Sequence, residues 1–150
     1  MLGIRFFNGV AIDLFQGAMN EFVCDAMVQP DVNFSAGETA TTTAGEFPAR
    51  WLIKVGALEN ADAVGVEALL KSSYSNCLLA VQELNARHLA IPALSAPQGF
   101  TLKSASLLAM RTVKECLGDK GRLGRITFVL PDQMHYSAYR DALFATFEET

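Results

Sequence analysis

The pattern that most constrains this chain is an alternation of short apolar runs with amphipathic segments of helical period from residue 51 onward. Strands are predicted at Trp51–Val55, His88–Ala93 and Ile126–Leu130, and helices at Gly65–Asn85, at Ser104–Leu117 and from Asp132 to Phe147. Strand–helix–strand units form right-handed crossovers, which produce parallel sheets. The sequence therefore predicts an α/β fold with three layers, α/β/α, around a mixed, largely parallel sheet.

Two residues mark predicted helix ends. Gly118 follows the helix at Ser104–Leu117 and is interpreted as its C-terminal cap. Asp132 precedes the last helix, where an aspartate side chain can accept from the first free backbone N–H groups.

The first fifty residues have a weaker pattern. Val10–Phe15 and Cys24–Val28 are predicted strands joined by a short connection or a helical turn. Gln29–Glu46 is rich in Gly, Thr, Ser, Asp and Pro, which is typical of loop or irregular structure. With 150 residues and no linker-like segment, residues 1–150 are predicted to form a single domain.

Ligands of parallel α/β sheets bind outside the carboxyl ends of the strands. In this chain the segments that follow predicted strands are Gln29–Gly37, Ser95–Lys103 and Leu130–Met134. A binding site is therefore expected among these three segments, with Gln29–Gly37 as one rim of a pocket.

The composition bears on which classes of partner and which cellular location are expected. Lys and Arg number 12 against 16 Asp and Glu, so the net charge of -4 argues against a nucleic-acid partner. No apolar run reaches the roughly 20 residues of a membrane span, and the first residues lack a secretion-signal pattern, so a cytoplasmic location is expected. Charged residues make up only 19%, which leaves apolar surface for a homo-oligomer contact.

The residues that could bind a metal or take part in redox chemistry are far apart in the sequence. Cys24, Cys77 and Cys116 are far apart and are interpreted as reduced core thiols. His88 and His135 are also separated, and no cluster has metal-ligand spacing, so neither a metal nor a cofactor is predicted. An enzyme using Cys24 or His135 stays open as a minor alternative, although the sequence offers neither residue a paired base.

Several segments together resemble one family, the macro domains, which bind ADP-ribose and related nucleotides and in some members hydrolyse ADP-ribosyl bonds. Cys24–Val28 is similar to the family's Val-Asp-Ala-Ile-Val strand, and Phe47–Gly56 is similar to its Leu-Pro-Ala-Arg-Tyr-Val-Ile-His-Val-Gly pattern. The helix containing Tyr74 and Asn76, and the strand Ala90–Ser95, also match in order and spacing. The resemblance covers about Ala11 to Phe147 and implies the α/β/α macro fold.

The departures fall where the family binds its ligand. The aspartate that the family uses for the adenine amino group is replaced by Ala18. The strand ending at Val28 runs into Gln29-Pro30-Asp31-Val32-Asn33 instead of Asn-Ala-Ala-Asn, so only Asn33 can stand in for the ribose-contacting asparagine, one place late. The family's glycine-rich loop and following helix are absent, because the chain leads almost directly from Asn33 into Gly37. The domain is thus divergent and shortened.

The resemblance also implies a set of ligand-binding residues. The second phosphate loop of the family corresponds to Ser95–Phe100, with Gly99 and Phe100 aligned after a one-residue deletion. Pro97 removes one of the backbone N–H donors that would meet a phosphate. The candidate ligand-binding residues are Asn33, Ser95, Ala96, Gln98, Gly99 and Phe100. The alternative for this loop is a tight strand-to-helix turn.

The resulting expectation is a non-hydrolytic macro-like domain with residual ADP-ribose or nucleotide binding, and no catalytic residue is assigned. If it were active, it would be an ADP-ribosyl or nucleotide phosphoester hydrolase. The alternative is a non-catalytic interaction or assembly module that uses the macro fold as a scaffold for a protein partner. Thr39–Thr43 could supply hydroxyls to a pocket, but its composition favours a polar β-edge or a surface loop.

Overall fold

The computed structural model describes residues 3–58, 65–94 and 100–148. The strands in these ranges are Ile4–Phe7 (β1), Val10–Gln16 (β2), Ala26–Asp31 (β3), Thr39–Thr43 (β4), Trp51–Gly56 (β5), His88–Pro92 (β6) and Arg125–Leu130 (β7). The α-helices are Val66–Glu83 (α1), Leu102–Cys116 (α2) and Gln133–Thr146 (α3), and a 3-10 helix spans Met19–Glu21. The three helices and five strands predicted from the sequence are confirmed, with ends that differ by at most three residues.

The strands form one sheet in the order β1-β2-β7-β6-β3-β5-β4. The five inner strands, β2, β7, β6, β3 and β5, run parallel. The two edge strands run antiparallel to their neighbours, β1 to β2 and β4 to β5. The expected mixed, largely parallel sheet is therefore confirmed, and the carboxyl ends of its five inner strands lie along one edge.

One face of the sheet carries all three α-helices. Alternate strand residues on this face pack with the helices into the larger core cluster, which includes Ile12, Val28, Ile53, Ile91 and Phe128 from the strands. The helices contribute Leu70, Tyr74, Met110, Val113, Tyr139 and Leu143, among others, to the same cluster. These side chains are nearly inaccessible to solvent, so burial of this face is the main stabilising interaction of the fold.

The opposite face has a thinner cover. Its smaller core cluster comprises Met27, Ala44, Leu52, Ala90 and Val129. The residues packed on that cluster come from the 3-10 helix and from loops, and they are Met19, Phe22, Cys24, Phe47 and Ala49. Within the described ranges the third layer is therefore one helical turn and short loops. Phe6 and Phe15 on this face remain 50% and 40% exposed.

The interpretation of Gln29–Glu46 as loop was wrong for two stretches, residues 29–31 and Thr39–Thr43. β3 continues to Asp31, because its outer half pairs fully with β5. Thr39–Thr43 forms β4, an edge strand of the sheet, as the polar β-edge interpretation expected. The sequence pattern left β4 open between an edge strand and a surface loop, because an edge strand needs no apolar run. It missed β1 because that strand has only four residues.

Gly118 does not cap α2 in the way predicted. The helix ends at Cys116 with Leu117 as its C-cap, and Gly118 is absent from the residues with positive φ. A left-handed glycine cap is thus not used here. The prediction for Asp132 is confirmed, because its side chain accepts from the backbone N–H of His135 at the start of α3.

The β3–β4 loop passes directly over the end of β5. Gly56 donates its N–H to Glu38 C=O at 2.8 Å, and its own carbonyl accepts from the N–H of Gly37 at 3.3 Å. A Cβ atom at Gly56 would overlap the carbonyl group of Ser35. Glycine at position 56 is therefore required for this short loop to close on the sheet.

We expect Gly56→Ala to destabilise the protein by about 1–3 kcal/mol, because the new methyl group must displace backbone rather than a flexible side chain. Urea unfolding followed by circular dichroism measures the change. Gly118→Ala is the matched control, since a Cβ there meets nothing within 4 Å, and it should change stability by less than about 0.5 kcal/mol. Equal losses in the two variants would contradict this account of the loop.

Candidate functional site

The most open part of the sheet is the seam between β3 and β6. The ladder between these strands has only two register pairs, Ala26 with Leu89 and Met27 with Ala90. On their other sides, β3 stays paired with β5 up to Asp31, and β6 stays paired with β7 up to Pro92. The outer halves of β3 and β6 therefore border a crevice at the carboxyl edge of the sheet.

Two prolines explain why the ladder stops. The C=O of His88 accepts from the N–H of Asp25, on the β3 side, whereas the C=O of Arg87 accepts from the N–H of Arg125, on the β7 side. Successive strand residues direct their backbone N–H and C=O groups to opposite neighbouring strands, so residues 90 and 92 of β6 direct theirs to β3. Their hydrogen-bond partners in β3 are residues 26, 28 and 30. The next two bonds would need the N–H groups of Pro92 and Pro30, which proline lacks.

The crevice is also the point at which the sheet reverses its direction of connection. From β3 the chain continues through β4 to β5 on one side, and from β6 it continues through α2 to β7 on the other. Ligands of open α/β sheets bind at such a switch point, outside the carboxyl ends of the strands. The topology thus selects the β3–β6 crevice from the whole carboxyl edge.

Small cavities flank the crevice on both faces of the sheet. On the helix face a cavity of about 50 Å³ lies between Pro30, Gly56, Ser73 and Leu94. On the opposite face a cavity of about 150 Å³ is lined by Met19, Met27, Val28, Gln29, Pro30, Phe47, Leu52 and Pro92. Each is smaller than the roughly 300 Å³ of a complete small-molecule pocket, so neither cavity by itself encloses a ligand of nucleotide size.

A third cavity, of about 220 Å³, lies where the first turns of α2 and α3 approach the end of β6. It is lined by Ala93, Leu94, Phe100, Leu102, Ala105, His135 and Tyr139. Phe100 is partly buried against the larger core cluster. This cavity continues the carboxyl edge from the crevice towards the end of β7.

The predicted site residues are only partly assembled by the structure. Phe100 lines the third cavity. Asn33 is exposed in the turn after β3, where its N–H donates to the Asp31 carboxylate at 2.8 Å, and it lines none of these three cavities. Ser95, Ala96, Gln98 and Gly99 lie outside the described residues. The expected pocket rim Gln29–Gly37 borders the crevice through Gln29 and Pro30.

Tyr74 holds the chain where it leaves β6. Its hydroxyl accepts from the N–H of Leu94 at 3.2 Å and lies 3.4 Å from the Tyr139 hydroxyl. Burial raises the pKa of Tyr74 well above its usual value and that of Tyr139 to about 12. Both phenols therefore stay neutral. The hydroxyl of Tyr74 holds Leu94, the second residue after β6, in place. This tyrosine of the family-like helix has a structural role that the sequence did not reveal.

Asn76 has a similar role at the β3–β4 loop. Its side-chain N–H₂ donates to the C=O of Gly37 at 2.9 Å. Gly37 has a φ of +82°, which favours glycine. Helix α1 thus anchors both segments that border the crevice, one through Tyr74 and the other through Asn76.

The geometry adds little support for Cys24 or His135 as a catalytic residue. Burial raises the pKa of the Cys24 thiol to about 11, so it stays protonated and weakly nucleophilic at neutral pH. His135 does have an acidic partner, because its Nδ1 lies 2.8 Å from the Asp132 carboxylate. That carboxylate also caps α3, and its pKa is lowered by the hydrogen bonds from the His135 backbone and side chain. The Asp132–His135 pair therefore stabilises the first turn of α3.

The three cysteines are free, as predicted. Only Cys77 is fully buried in the core, whereas Cys24 and Cys116 are half-buried, so the interpretation of all three as core thiols was too simple. Among the described residues no group of three or more His, Cys, Asp or Glu side chains could hold a metal ion. In the same residues no helix is long and apolar enough to span a bilayer.

A polar chain on the thinly covered face escaped the sequence analysis. Thr127 donates its hydroxyl to Asp13 at 2.6 Å and lies 2.9 Å from His88 Nε2. Arg125 forms an ion pair with the same carboxylate, at 2.6 Å. Burial and the charge of Arg125 lower the pKa of His88. Because Thr127 donates its only hydroxyl proton to Asp13, its oxygen accepts from the Nε2–H of a neutral His88. These hydrogen bonds join β6, β7 and β2. No sequence signal links these residues, because the link is across strands.

Comparisons with known proteins agree with the geometry. The family model for the macro domain matches residues 8–107. A macro domain-containing protein of Streptomyces coelicolor is 36% identical over 107 residues, which are 69% of this chain and 60% of that protein. One of Cupriavidus necator is 29% identical over 129 residues, 85% of this chain and 75% of that protein. This chain belongs to the macro domain family.

Solved structures show the same fold. The Oceanobacillus iheyensis macrodomain with ADP superposes with a TM-score of 0.83 at 17% identity, covering 93% of both chains. The macro domain of ganglioside induced differentiation associated protein 2 superposes with a TM-score of 0.84 at 19% identity, covering 95% of this chain and 87% of that one. At these identities the likeness shows the fold alone.

We expect Tyr74→Phe to lower stability by about 1–3 kcal/mol, because it leaves the buried N–H of Leu94 without its acceptor. Tyr139→Phe removes only the 3.4 Å contact and should cost less than about 1 kcal/mol. Urea unfolding gives both values, and amide hydrogen exchange should accelerate at Leu94 in Tyr74→Phe alone. Unchanged exchange at Leu94 would show that Tyr74 does not hold this segment.

Proposed function

We propose that this macro domain binds ADP-ribose or a related nucleotide along the carboxyl edge of its sheet. The observation that carries the proposal is the crevice between β3 and β6, which lies at the switch point of a fold shared with nucleotide-bound structures. The Oceanobacillus iheyensis macrodomain is one such structure, with ADP, and a variant of it was solved with ADPR.

The proposed contacts follow the carboxyl edge of the sheet. Phe100, beside the third cavity, packs on the ribose or the base. The residues before it, Ser95, Ala96, Gln98 and Gly99, offer backbone N–H groups to the phosphates. Asn33, in the exposed turn after β3, is proposed to contact the far ribose. The site spans the crevice and the third cavity.

We further propose that the domain does not hydrolyse what it binds. Hydrolysis by the family's route needs an asparagine at the end of β3 and a glycine-cradled diphosphate to orient the attacking water. Here the end of β3 carries the Asp31 carboxylate, which accepts from Asn33 N–H and lies 3.8 Å from the Lys54 ammonium. These contacts engage Asp31 within the protein and place no amide at that position.

Isothermal titration calorimetry with ADP-ribose, ADP and NAD tests the binding. ADP-ribose should bind most tightly, and Gly99→Val should abolish its binding without changing the unfolding midpoint. Phe100→Ala should weaken it by about tenfold, since stacking on an aromatic ring contributes about 1–3 kcal/mol. The matched control Leu79→Ala alters an exposed residue of α1 and should bind as the unaltered protein does.

Three outcomes would contradict the proposal. Absence of heat together with an unchanged melting temperature would exclude nucleotide binding. Full affinity in Gly99→Val would remove the proposed loop from the site. Release of ADP-ribose from an ADP-ribosylated peptide by the purified protein would refute the non-hydrolytic assignment.

A second function, as an assembly module, is favoured by the thinly covered face of the sheet. Phe6 and Phe15 point to this face from β1 and β2, and they are 50% and 40% exposed. The partner proposed for these side chains is a second copy of the chain, in line with the low charged fraction. Analytical ultracentrifugation should show a dimer that Phe6→Glu with Phe15→Glu dissociates and Leu79→Glu does not. A monomer at high concentration would refute this role.

A further inference from the structure

Strand β4 lies at one edge of the sheet, and within the described residues its outer side pairs with no other strand. Two hydrogen bonds at its ends show which of its residues bond to β5. Ala44 donates its N–H to the C=O of Arg50 at 3.3 Å. At the other end the C=O of Glu38 accepts from the N–H of Gly56 at 2.8 Å. Because hydrogen-bonded and non-hydrogen-bonded pairs alternate between antiparallel strands, the even-numbered residues of β4 bond to β5.

The odd-numbered residues, Thr39, Thr41 and Thr43, therefore direct their backbone N–H and C=O groups away from the sheet. Strand β5 agrees with this assignment, since the N–H of Trp51, an odd-numbered residue, bonds on the β3 side. Within the described part of the chain, the only hydrogen bond to these outward groups comes from Thr42. Its hydroxyl donates to the C=O of Thr43 at 3.0 Å and leaves that oxygen a second lone pair.

The two edges of the sheet differ in how they are protected. Edge strands that avoid pairing with other chains carry charged residues, prolines or bulges. Strand β1 has such a device, because the Arg5 guanidinium donates to the C=O of Ile4 at 3.1 Å. Strand β4 contains only threonine and alanine and pairs with β5 residue for residue, so it has no charge, proline or bulge. Strand β4 is therefore the edge that is open to a further strand.

The outward residues are spaced so that a second copy of the same strand can bond to all of them. With a two-fold axis at Thr41, an antiparallel copy pairs Thr41 with Thr41 and Thr39 with Thr43. Each of these three pairs is of the hydrogen-bonded kind, with two bonds, so the register forms six hydrogen bonds. Threonines facing each other across strands are a favourable pair. No like charges meet, because Glu38 comes opposite Ala44.

We propose that two copies of this chain join antiparallel through their β4 edges, with Thr41 on the two-fold axis, so that their sheets become one continuous sheet. The contact buries little apolar surface, so it is weaker than the contact proposed for Phe6 and Phe15 and forms at higher protein concentration. It lies at the opposite edge of the sheet from β1. It does not rest on nucleotide binding, so its failure would leave that proposal standing.

Amide hydrogen exchange measured by NMR at rising protein concentration tests this contact. The amides of Ala40 and Thr42 bond to β5 and should be protected at every concentration. Those of Thr39, Thr41 and Thr43 should become about tenfold more protected between dilute and millimolar protein, while sedimentation velocity shows a dimer. The variant Phe6→Glu with Phe15→Glu should show the same protection at high concentration, which separates the two contacts.

Substitutions at Thr41 test the axis of the dimer. Thr41→Pro removes an outward N–H that the pairing with β5 does not use, so it should abolish the dimer and leave the monomer folded. The matched control Thr41→Val keeps the backbone groups and a β-branched side chain, and it should change the Kd by less than about threefold. Thr41→Lys places two like charges at the axis and should weaken the dimer by about tenfold. It keeps the test valid if Thr41→Pro does not fold.

Paired charges test the register. Thr39→Lys with Thr43→Lys places like charges at both facing pairs and should weaken the dimer by about tenfold at low salt. Thr39→Glu with Thr43→Lys places opposite charges at the same pairs and should bind at least as tightly as the unaltered chain. The two double variants differ only at position 39, so a difference between them reports which residues face each other.

The outcomes separate as follows. Protection of Thr39, Thr41 and Thr43 that rises with protein concentration and is lost in Thr41→Pro or Thr41→Lys supports the proposal. Exchange at these three amides that stays unchanged up to millimolar protein overturns it. A dimer that survives in folded Thr41→Pro, or equal affinities of the two charge combinations, overturns it as well.

Discussion

The seam between β3 and β6 is the constraint on which the rest of this molecule depends. Only two register pairs cross it within the sheet. Asp25 reinforces the seam at the amino end of β3, because its carboxylate accepts from the N–H groups of Arg87 and His88 and its carbonyl accepts from those of Arg50 and Trp51. Helix α1 connects β5 to β6 across β3. The sheet is therefore tightly joined at one end and open at the other.

The candidate site lies at the open end of the sheet. At the open end Pro30 and Pro92 withhold the donors that would extend the ladder, so a crevice forms where connections diverge. The short β3–β4 loop, closed by Gly37 and Gly56, and the chain after β6, held by Tyr74, border it. The thin third layer leaves the face of the sheet opposite the α-helices partly exposed. The proposed nucleotide site lies along this opening, which depends on the missing hydrogen bonds between β3 and β6.

The macro family is evident in this chain chiefly through structural residues. Asp25, Gly56, Tyr74 and Asn76 belong to the family-like segments, and each makes a contact that holds strands or loops together. The positions at which the sequence analysis expects departures from the family, among them Ala18, Gln29 and Pro30, precede or border the open edge. The family-like segments therefore supply internal contacts of the scaffold, which is why the family identifies the fold more firmly than the activity.

The sequence alone determined the three helices and five of the strands, because apolar periodicity is a local property that burial in the sheet or on its helix face enforces. It also identified Asp132 as a cap and the family through the order of short motifs. Tertiary structure alone decided the strand status of β1 and β4, the position of Phe100 beside His135, and the chain from Asp13 through Thr127 to His88. It also decided that Pro30 faces Pro92, since two residues so far apart in the chain meet only when parallel strands set their register.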